Sequence, residues 1–571
     1  MSTSSPSATG FTLESLQIGA HPIVRPFLER LELRPLFEQA LGRLDRRLAL
    51  SPVDAALVLV RNFALSRHPL YSVPEWAARF VPQQLELDGK LVALLNDDRL
   101  GRTLDRFFKA DLRTLMTRIV VHMVAEFDLD LSHAHNDSTS ITFSGAYPEQ
   151  PPGADSRRKL RVLHGHNKDH RPDLKQLVWT LTVVGDGAVP VHYNVYDGNV
   201  TDDCTHIDTW QTLCRITGST DFLYVADSKL CTRKQMGHID RASGRFLTVL
   251  PRTRKEDQRF RALLGQAPVA WKLIWERPPL RRKSDPADCF EVALLTETSS
   301  EGYRILWFRS SLKWKRDEQA RQNIIDTARF EILRLRERAG RRTLKTREQV
   351  VAAVDDVLER TGARPFLRVQ IVERSRHTHR QAGPGRPGKN TRYLRHTTTA
   401  YEPMAEPDPD RIAEAAATDG IFPLITNVSA DLLEPLELLQ TYKYQSFVEK
   451  RHEQLKTAAE VVPVNFKSVE RIEAFLFFYF VAVLLHALIE RHVRTAMKQR
   501  DLRSIPLYPE GRKCSAPTAD KILALFEPLR RHRLLRRDKL VETFYDELSD
   551  IQRLVLELLD IDPRDYGDFA C

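Results

Sequence analysis

Cysteine is scarce in this chain of 571 residues, and its six cysteines form no C-x-x-C pair. That spacing matches neither a zinc ribbon nor a recognisable disulfide framework, so a reducing cytoplasm is the simplest compartment. The first ten residues also lack the apolar stretch of a secretory signal peptide. These absences predict a cytoplasmic protein.

A hydrophobic run long enough to cross a bilayer is missing too. The apolar run from Ala474 to Leu485 has 12 residues and is flanked by charged ones, whereas a transmembrane helix needs roughly 20 apolar residues. We therefore expect a buried core helix at this position and no membrane partner.

The excess of positive charge is modest. Lys and Arg number 86 against 76 Asp and Glu, which gives a formal net charge of +10. This balance favours a polyanionic partner over an acidic small molecule. A slightly basic surface without a nucleic-acid partner would give the same net charge, so the charge alone does not identify the partner.

Helical patterns fill the first part of the chain. Ser51 and Pro52 form an N-cap and a first-turn proline, and apolar residues recur at steps of three and four from Leu112 to Phe127. We assign residues 1–130 to a helical N-terminal domain, which either binds DNA ends or serves packing and dimerisation. Residues 501–571 are assigned to a helical C-terminal region.

Strand patterns begin near residue 135. Segments rich in Val, Thr, Tyr and Ile predict strands at 136–143, 177–184, 189–196, 222–226 and 246–250, with helices before and after the fourth strand. The order β-β-β-α-β-α-β is that of an RNase H-like core, although the pattern alone does not separate it from other mixed α/β sheets. We assign residues 131–250 and 421–500 to this core.

Residues 251–420 are predicted to be an α+β insertion into that core. They include a basic stretch from Arg364 to Arg395 with nine Lys or Arg residues and one acid, Glu373. Because Gly and Pro interrupt it, we expect a flexible basic loop. It is either a solvated linker or a contact to DNA phosphates, with Arg386 and Lys389 as candidate ligands.

Three carboxylates have positions that suit catalysis. Asp137 lies in the first predicted strand and Asp227 directly follows the fourth. These strands are neighbours in an RNase H-like sheet, so the two side chains should converge. Each aspartate alone also fits a structural role, such as a helix N-cap at Asp227.

The third carboxylate is expected on a later helix, over Tyr442 to Lys456. On a continuous helix Tyr442, Gln445, Glu449 and Lys456 fall within about a 60° arc. The alternative is a solvated charged face, and Glu453 near the same arc competes with Glu449 for the catalytic role.

Together these residues resemble the DDE transposases of bacterial insertion sequences, in the branch with the signature Y-x(2)-R-x(3)-E-x(6)-K. Tyr442, Glu449 and Lys456 match that spacing, whereas Gln445 stands where the signature has Arg. The stretch from His164 to Gln176 is also similar to one that precedes the second strand in this branch. The resemblance extends over most of residues 100–500.

The resemblance implies an endonuclease and strand transferase that cuts transposon ends and joins the 3′-OH to target DNA. Asp137, Asp227 and Glu449 would hold two Mg²⁺ or Mn²⁺ ions, a choice that suits an oxygen-only ligand set. Its partners would be double-stranded DNA, as terminal inverted repeats and target, within a homodimeric synaptic complex on the bacterial nucleoid. The expected DNA contacts are Tyr442, Gln445, Lys456, Lys168, Arg171, Arg386 and Lys389.

Two other functions remain open at this point. A zinc metallo-hydrolase would use His164, His166, Asp169 and His170, although the spacing is one residue too long and basic residues flank it. A domesticated DNA-binding protein would have lost cleavage, but all three candidate acids are present.

Overall fold

The computed structural model describes residues 10–567 except 44, 46, 146, 148–159, 169–170, 202–204, 280–284, 296, 341–342, 462–467 and 509; the side chains of 376 and 455–461 are also left out. The chain divides into two compact units. Unit 1 comprises Met1–Thr248 with Glu437–Cys571, and unit 2 comprises Val249–Leu436. The fold is mixed α/β.

The N-terminal part of unit 1 is helical apart from one strand. Its elements are β1 (Phe11–Gln17), α1 (His21–Arg30), α2 (Leu33–Leu41), α3 (Pro52–Leu65), α4 (Val73–Ala77), α5 (Gly89–Val92), α6 (Asp97–Lys109) and α7 (Leu112–Glu126). Ser51 caps α3 as predicted, because its hydroxyl accepts hydrogen bonds from the backbone N–H groups of Val53 and Asp54. The apolar stripe of α7 is buried, also as predicted.

Five strands of a mixed sheet follow in unit 1. Its elements are β2 (His133–Phe143), β3 (Lys175–Val184), β4 (Pro190–Tyr196), α8 (His206–Thr217), β5 (Leu223–Val225), α9 (Arg233–Arg241) and β6 (Arg245–Val249). The strand order is β4-β3-β2-β5-β6. β2, β3 and β4 are antiparallel, whereas β2, β5 and β6 run parallel. The predicted adjacency of the first and fourth strands is confirmed.

Unit 2 contains further strands and helices. Its elements are α10 (Lys255–Leu264), β7 (Trp271–Arg277), β8 (Asp288–Ala293), β9 (Glu297–Thr298), β10 (Arg304–Ser310), α11 (Ser311–Arg338), α12 (Arg347–Thr361), β11 (Leu367–Gln381), β12 (Tyr393–Pro407), α13 (Pro409–Ala416) and β13 (Ile421–Thr426). β13, β10, β8 and β7 form antiparallel neighbours in that order. A capping box formed by Thr346 and Gln349 opens α12.

The chain then completes unit 1. Its last elements are α14 (Pro435–Lys443), α15 (Ser446–Val461), α16 (Val469–Gln499), α17 (Ala519–Ala524), β14 (Arg530–Arg536), β15 (Lys539–Tyr545) and α18 (Asp550–Leu558). α16 packs against α3 and α6. It is the one described helix long and apolar enough to span a membrane, but 94% of its most apolar window is buried inside the protein. The buried core helix expected at Ala474 to Leu485 is confirmed.

The region expected to be a helical C-terminal part contains a strand pair as well as two helices. β14 and β15 form an antiparallel hairpin, and β1 pairs with β14 in register from Phe11 opposite Arg536. The pairing partner of β14 is thus more than 500 residues away in sequence, so no local pattern announces it. The charge-rich sequence of β14 also hides the alternation that marks a strand.

The basic stretch expected to be a flexible loop is instead a long antiparallel hairpin. β11 and β12 pair over 15 residues, from Leu367 opposite Pro407 to Gln381 opposite Tyr393. Most of the Gly and Pro residues of the stretch, from Gly383 to Gly388, lie in the turn between the strands, where they favour a tight reversal. The apolar residues near the base, such as Val369 and Ile371, pack against the core of α11 and α12. The predicted flexible loop is wrong because the many cations of the stretch obscure the short apolar alternation near the base of the hairpin.

The boundaries of unit 2 also differ from those of the predicted insertion. We expected the insertion at 251–420, whereas the second unit runs to Leu436 and includes β13. We had assigned the residues of β13 to the core. They are grouped with unit 2, in which they pair with β10 over six residues, from Arg304 opposite Thr426 to Arg309 opposite Ile421.

Candidate active site

Asp137 lies on β2, and Asp227 follows the adjacent strand β5. The parallel register pairs His135 with Val225, so the same offset of 90 residues brings Asp137 level with Asp227. Neighbouring strands are about 4.8 Å apart. The sheet therefore brings the two predicted aspartates to one place, and Asp227 stands just beyond the end of the short strand β5.

The backbone and side chain of Asp227 are both held. The hydroxyl of Thr248, on β6, donates to its carbonyl oxygen at 2.5 Å, and its carboxylate accepts from the backbone N–H of Lys229 at 3.1 Å. Asp227 therefore also acts as an N-cap, which is the alternative role given for it above. A carboxylate has about four lone-pair sites, so one capping bond leaves capacity for another ligand.

The helix expected from Tyr442 to Lys456 is broken at residues 444–445. α14 ends at Lys443 and α15 begins at Ser446. The buried amide of Gln445 donates to the carbonyl oxygen of Asn136 at 2.7 Å, and its oxygen lies 3.3 Å from Nδ1 of His135. In this arrangement Gln445 joins the helical segment to β2 and is turned away from any surface contact. The continuous helical face that we predicted is thus wrong, because these tertiary hydrogen bonds draw the turn onto the strand.

Arg451 fixes α15 at a second place. Its guanidinium pairs with the buried carboxylate of Glu490 on α16 at 2.9 Å and donates to the carbonyl oxygens of Ala188 and Gly187. Glu490 also accepts from the backbone N–H of Ala519 at 3.0 Å. These hydrogen bonds satisfy the buried charges of Arg451 and Glu490. They hold α15 over β2 and β3, against which it packs.

Glu449 faces the negative charge of Asp137. Burial, the Asp137 charge and the Glu453 charge, in that order, raise the pKa of Glu449 above its ordinary value. Like charges and partial desolvation both disfavour ionisation of a carboxyl group. The raised pKa of Glu449 therefore indicates that nearby positive charge does not offset burial and the negative charges around it.

The charges of all three predicted carboxylates act on Tyr442. Its phenol is largely buried, and its pKa is raised first by desolvation and then by the charges of Asp227, Asp137 and Glu449. One side chain thus senses all three predicted acids. Glu453 is absent from this set of charges, which favours Glu449 as the third member.

Lys168 is the cation beside Asp137. Its ammonium lies 3.8 Å from Oδ1 of Asp137 and donates to the hydroxyl and carbonyl oxygens of Ser138 at 2.7 and 2.6 Å. The segment before it is held against the edge of the fold, because Gly165 packs so tightly on the carbonyl of Gly198 that no Cβ fits. The predicted DNA contact at Lys168 therefore lies within the acidic site.

Two histidines complete the surroundings of the aspartates, and we did not predict them. Nε2 of His452 is 3.9 Å from Asp137, and Nε2 of His206 is 3.9 Å from Asp227. Both rings are buried, and Nδ1 of His206 lies 3.1 Å from the hydroxyl of Tyr224. The sequence offers one signal for His452, which follows Arg451 on the helix predicted to bear the third carboxylate.

The remaining predicted residues are placed less centrally. Arg171 is exposed and forms a bidentate pair with Asp173. Arg386 and Lys389 are exposed in the β11–β12 turn of unit 2. Lys456 lies within α15, but its side chain is outside the described part of the structure, as are Asp169 and His170 of the zinc alternative.

The donor set fits a hard divalent cation. The charges of all three carboxylates act on Tyr442, and burial, followed by the charges of Asp137 and Glu453, raises the pKa of Glu449. Within the described ranges, however, no three His, Cys, Asp or Glu side chains are already drawn together as an ion-binding group. Asp137, Asp227 and Glu449 are therefore suited to hold metal by charge and chemistry, and ion binding requires them to close in.

One family model matches the N-terminal part of the chain. A family described as a domain of unknown function, DUF4277, matches residues 13–121, and this domain is typical of transposase-like proteins. No curated protein matches the sequence.

A solved structure, the cryo-EM structure of a piggyBac transposase synaptic complex with hairpin DNA, is similar with 10% sequence identity and a TM-score of 0.26. The match covers 51% of this chain and 60% of that one. A likeness of this size is too slight to identify a fold or a function.

Proposed function

We propose that this chain is a DDE-type transposase with an RNase H-like core. The observation that carries the proposal is the parallel register that brings Asp137 level with Asp227, together with the packing of α15, which bears Glu449, against β2. The strand order β4-β3-β2-β5-β6 supports it, because it brings the two aspartates level on adjacent parallel strands. The DUF4277 match in the helical N-terminal part supports it independently.

Asp137, Asp227 and Glu449 are the residues that would hold Mg²⁺ or Mn²⁺. Two such ions, when bound, would supply the charge that activates a water or 3′-hydroxyl and stabilises the leaving 3′-oxygen. The chain itself contributes rigidity: Gln445 and Arg451 fix the helix that bears Glu449, and Thr248 fixes Asp227.

Lys168 and Tyr442 have separate roles in this proposal. Lys168 already stands beside Asp137, so its ammonium is placed to meet a phosphate oxygen that enters the acidic site. Tyr442, whose pKa is raised by burial and by the charges of Asp227, Asp137 and Glu449, is proposed to position a base near the cleavage point. Lys456 is proposed to hold a terminal phosphate, on the strength of the signature spacing alone.

The DNA partners follow from the same proposal. The substrate is double-stranded DNA at the ends of the element that carries the gene, and the product is that end joined to target DNA. The chain would act as a homodimer in a synaptic complex, so that both ends are cut together. A domesticated DNA-binding protein is the second candidate function, and it predicts binding without cleavage.

A cleavage assay tests the proposal. We expect the full chain, with Mg²⁺ and a duplex that contains the junctions flanking its gene, to release 3′-hydroxyl ends at those junctions. Joined products with unrelated plasmid DNA should accumulate in the same reaction. Specific binding without any nick in Mg²⁺ or Mn²⁺ would instead identify the domesticated protein, and hydrolysis that requires Zn²⁺ would favour the histidine motif.

A further inference from the structure

The outer part of the β11–β12 hairpin differs from its base. Near the base, Leu367 is buried in the cluster formed by α11 and α12, and Ile371 and Tyr401 pack against that cluster. From residue 374 to 399, which we call the distal ribbon, nearly all described side chains are exposed on both faces. An isolated two-stranded hairpin is marginally stable in water, so a ribbon with neither face covered gains stability from a partner.

The charge of the distal ribbon identifies the class of that partner. It contains seven Lys or Arg residues and no Asp or Glu. Just below it, Glu402 binds Arg374 at 3.4 Å and Arg336 at 3.2 Å, which fixes the base. Beyond this point positive charge is uncompensated by any acid within the ribbon. A polyanion is the complementary surface.

The distribution of cations favours a groove over a flat surface. Paired residues share a face and successive residues alternate, so the register puts Arg374, Arg380 and Leu394 on one face. The opposite face bears His379, Arg395 and Tyr393. A flat anionic surface contacts only one face of a ribbon, whereas the two walls of a groove flank both.

We propose that the distal ribbon inserts into the major groove of duplex DNA. That groove, about 12 Å wide, accepts a two-stranded β-ribbon, and the minor groove is about half as wide. Cations on both faces would reach the phosphates on the two sides, and the exposed Tyr393 and Leu394, 51% and 56% exposed, lie next to the turn that would meet the base edges. The inference rests on the proposed function for its choice of DNA as the polyanion.

The test removes one cation from each face of the ribbon in the full chain. Arg380→Ala with Arg395→Ala should weaken binding to a random-sequence duplex roughly tenfold and make the slope of log affinity against log salt shallower by about 1.8, which is two phosphate contacts. Arg380→Lys with Arg395→Lys should keep the slope, because the charge is retained. Lys315→Ala with Arg316→Ala, two exposed cations of α11, should change neither quantity.

Competition with groove-binding ligands and binding to duplex RNA test whether the distal ribbon occupies the major groove. Methyl green, which occupies the major groove, should compete with the unmodified ribbon, whereas netropsin in the minor groove should not. Equal losses for the ribbon and α11 variants would overturn the proposal. So would undiminished binding in the presence of methyl green, or an equal ribbon-dependent affinity for duplex RNA, whose major groove is too narrow for side chains.

Binding is measured with EDTA, so failure of the ribbon and failure of the transposase are distinguishable. A chain that binds through the ribbon and never cuts DNA would refute the catalytic proposal alone. A chain that cuts DNA and binds it equally well without Arg380 and Arg395 would refute the ribbon alone. Circular dichroism of each variant confirms that the fold is retained, as expected for exposed positions.

Discussion

Replacing Asp227 by Asn should abolish DNA strand cleavage and leave binding to the DNA ends intact. The amide keeps the shape of the side chain and can still accept the backbone hydrogen bond of Lys229, but it removes the charge that attracts a divalent cation. We expect cleavage to fall by about 10³-fold or more, on the order of 4 kcal/mol of transition-state stabilisation. Single-turnover cleavage and fluorescence anisotropy measure the two quantities on one preparation.

Asp221→Asn is the matched control for that experiment. Asp221 precedes β5, at the opposite end from Asp227, and its side chain is 71% exposed. Its replacement should change neither cleavage nor binding. An Asp227→Asn enzyme that still nicks DNA in Mg²⁺ would remove Asp227 from the site, and a variant that no longer binds DNA would show that the residue maintains the fold instead.

Replacing Glu449 by Gln should cost about as much cleavage as replacing Asp227. Glu449 faces Asp137 and contributes to the field at Tyr442, so its charge belongs to the same acidic site. Glu453 lies one turn further along α15 and affects Glu449 but not Tyr442. We therefore expect Glu453→Gln to change the cleavage rate by less than about threefold, an effect below 1 kcal/mol.

The pair of glutamate variants is its own control, since both changes remove one charge from the same helix. Rates should be compared at saturating DNA, where a loss of catalysis is separated from a loss of affinity. If Glu453→Gln is the variant that loses cleavage, the third carboxylate has been assigned to the wrong turn of α15. Equal and small effects of both changes would contradict a three-carboxylate site.

The aspartates could be found from sequence because their signals are local. Asp137 lies within a strand rich in Thr and Ile, and Asp227 follows a short apolar strand, so their chain order and strand spacing suffice to place them side by side. The register His135 to Val225 bears this out. Likewise the length and flanks of the apolar run at 474–485 were enough to distinguish a buried helix from a membrane span.

The break between α14 and α15 could not be found in this way. No Gly or Pro marks residues 444–445, and a helical wheel assumes that the helix continues. The turn forms because the amide of Gln445 reaches Asn136 and His135, about 310 residues earlier in the chain. Contacts of that kind depend on the finished fold, and His206 and His452 escaped prediction for the same reason.

The hairpins β11–β12 and β14–β15 show a second limit. Both contain charged strands, and we predicted a flexible loop in the first case and a helical region in the second. In β11 the apolar alternation covers only the part that packs on α11 and α12. In β14 the stabilising neighbour is β1, from the other end of the chain.

The most direct test of the account is to locate the bound metal on the protein itself. Fe²⁺ takes the place of Mg²⁺ at carboxylate sites, and with ascorbate and peroxide it generates radicals that cut the nearby polypeptide backbone. We predict scission close to Asp137, Asp227 and Glu449, suppressed by excess Mg²⁺ and lost in Asp227→Asn. Scission confined to the neighbourhood of His164 and His166, or scission that is unchanged in Asp227→Asn, would contradict a metal site formed by these three carboxylates.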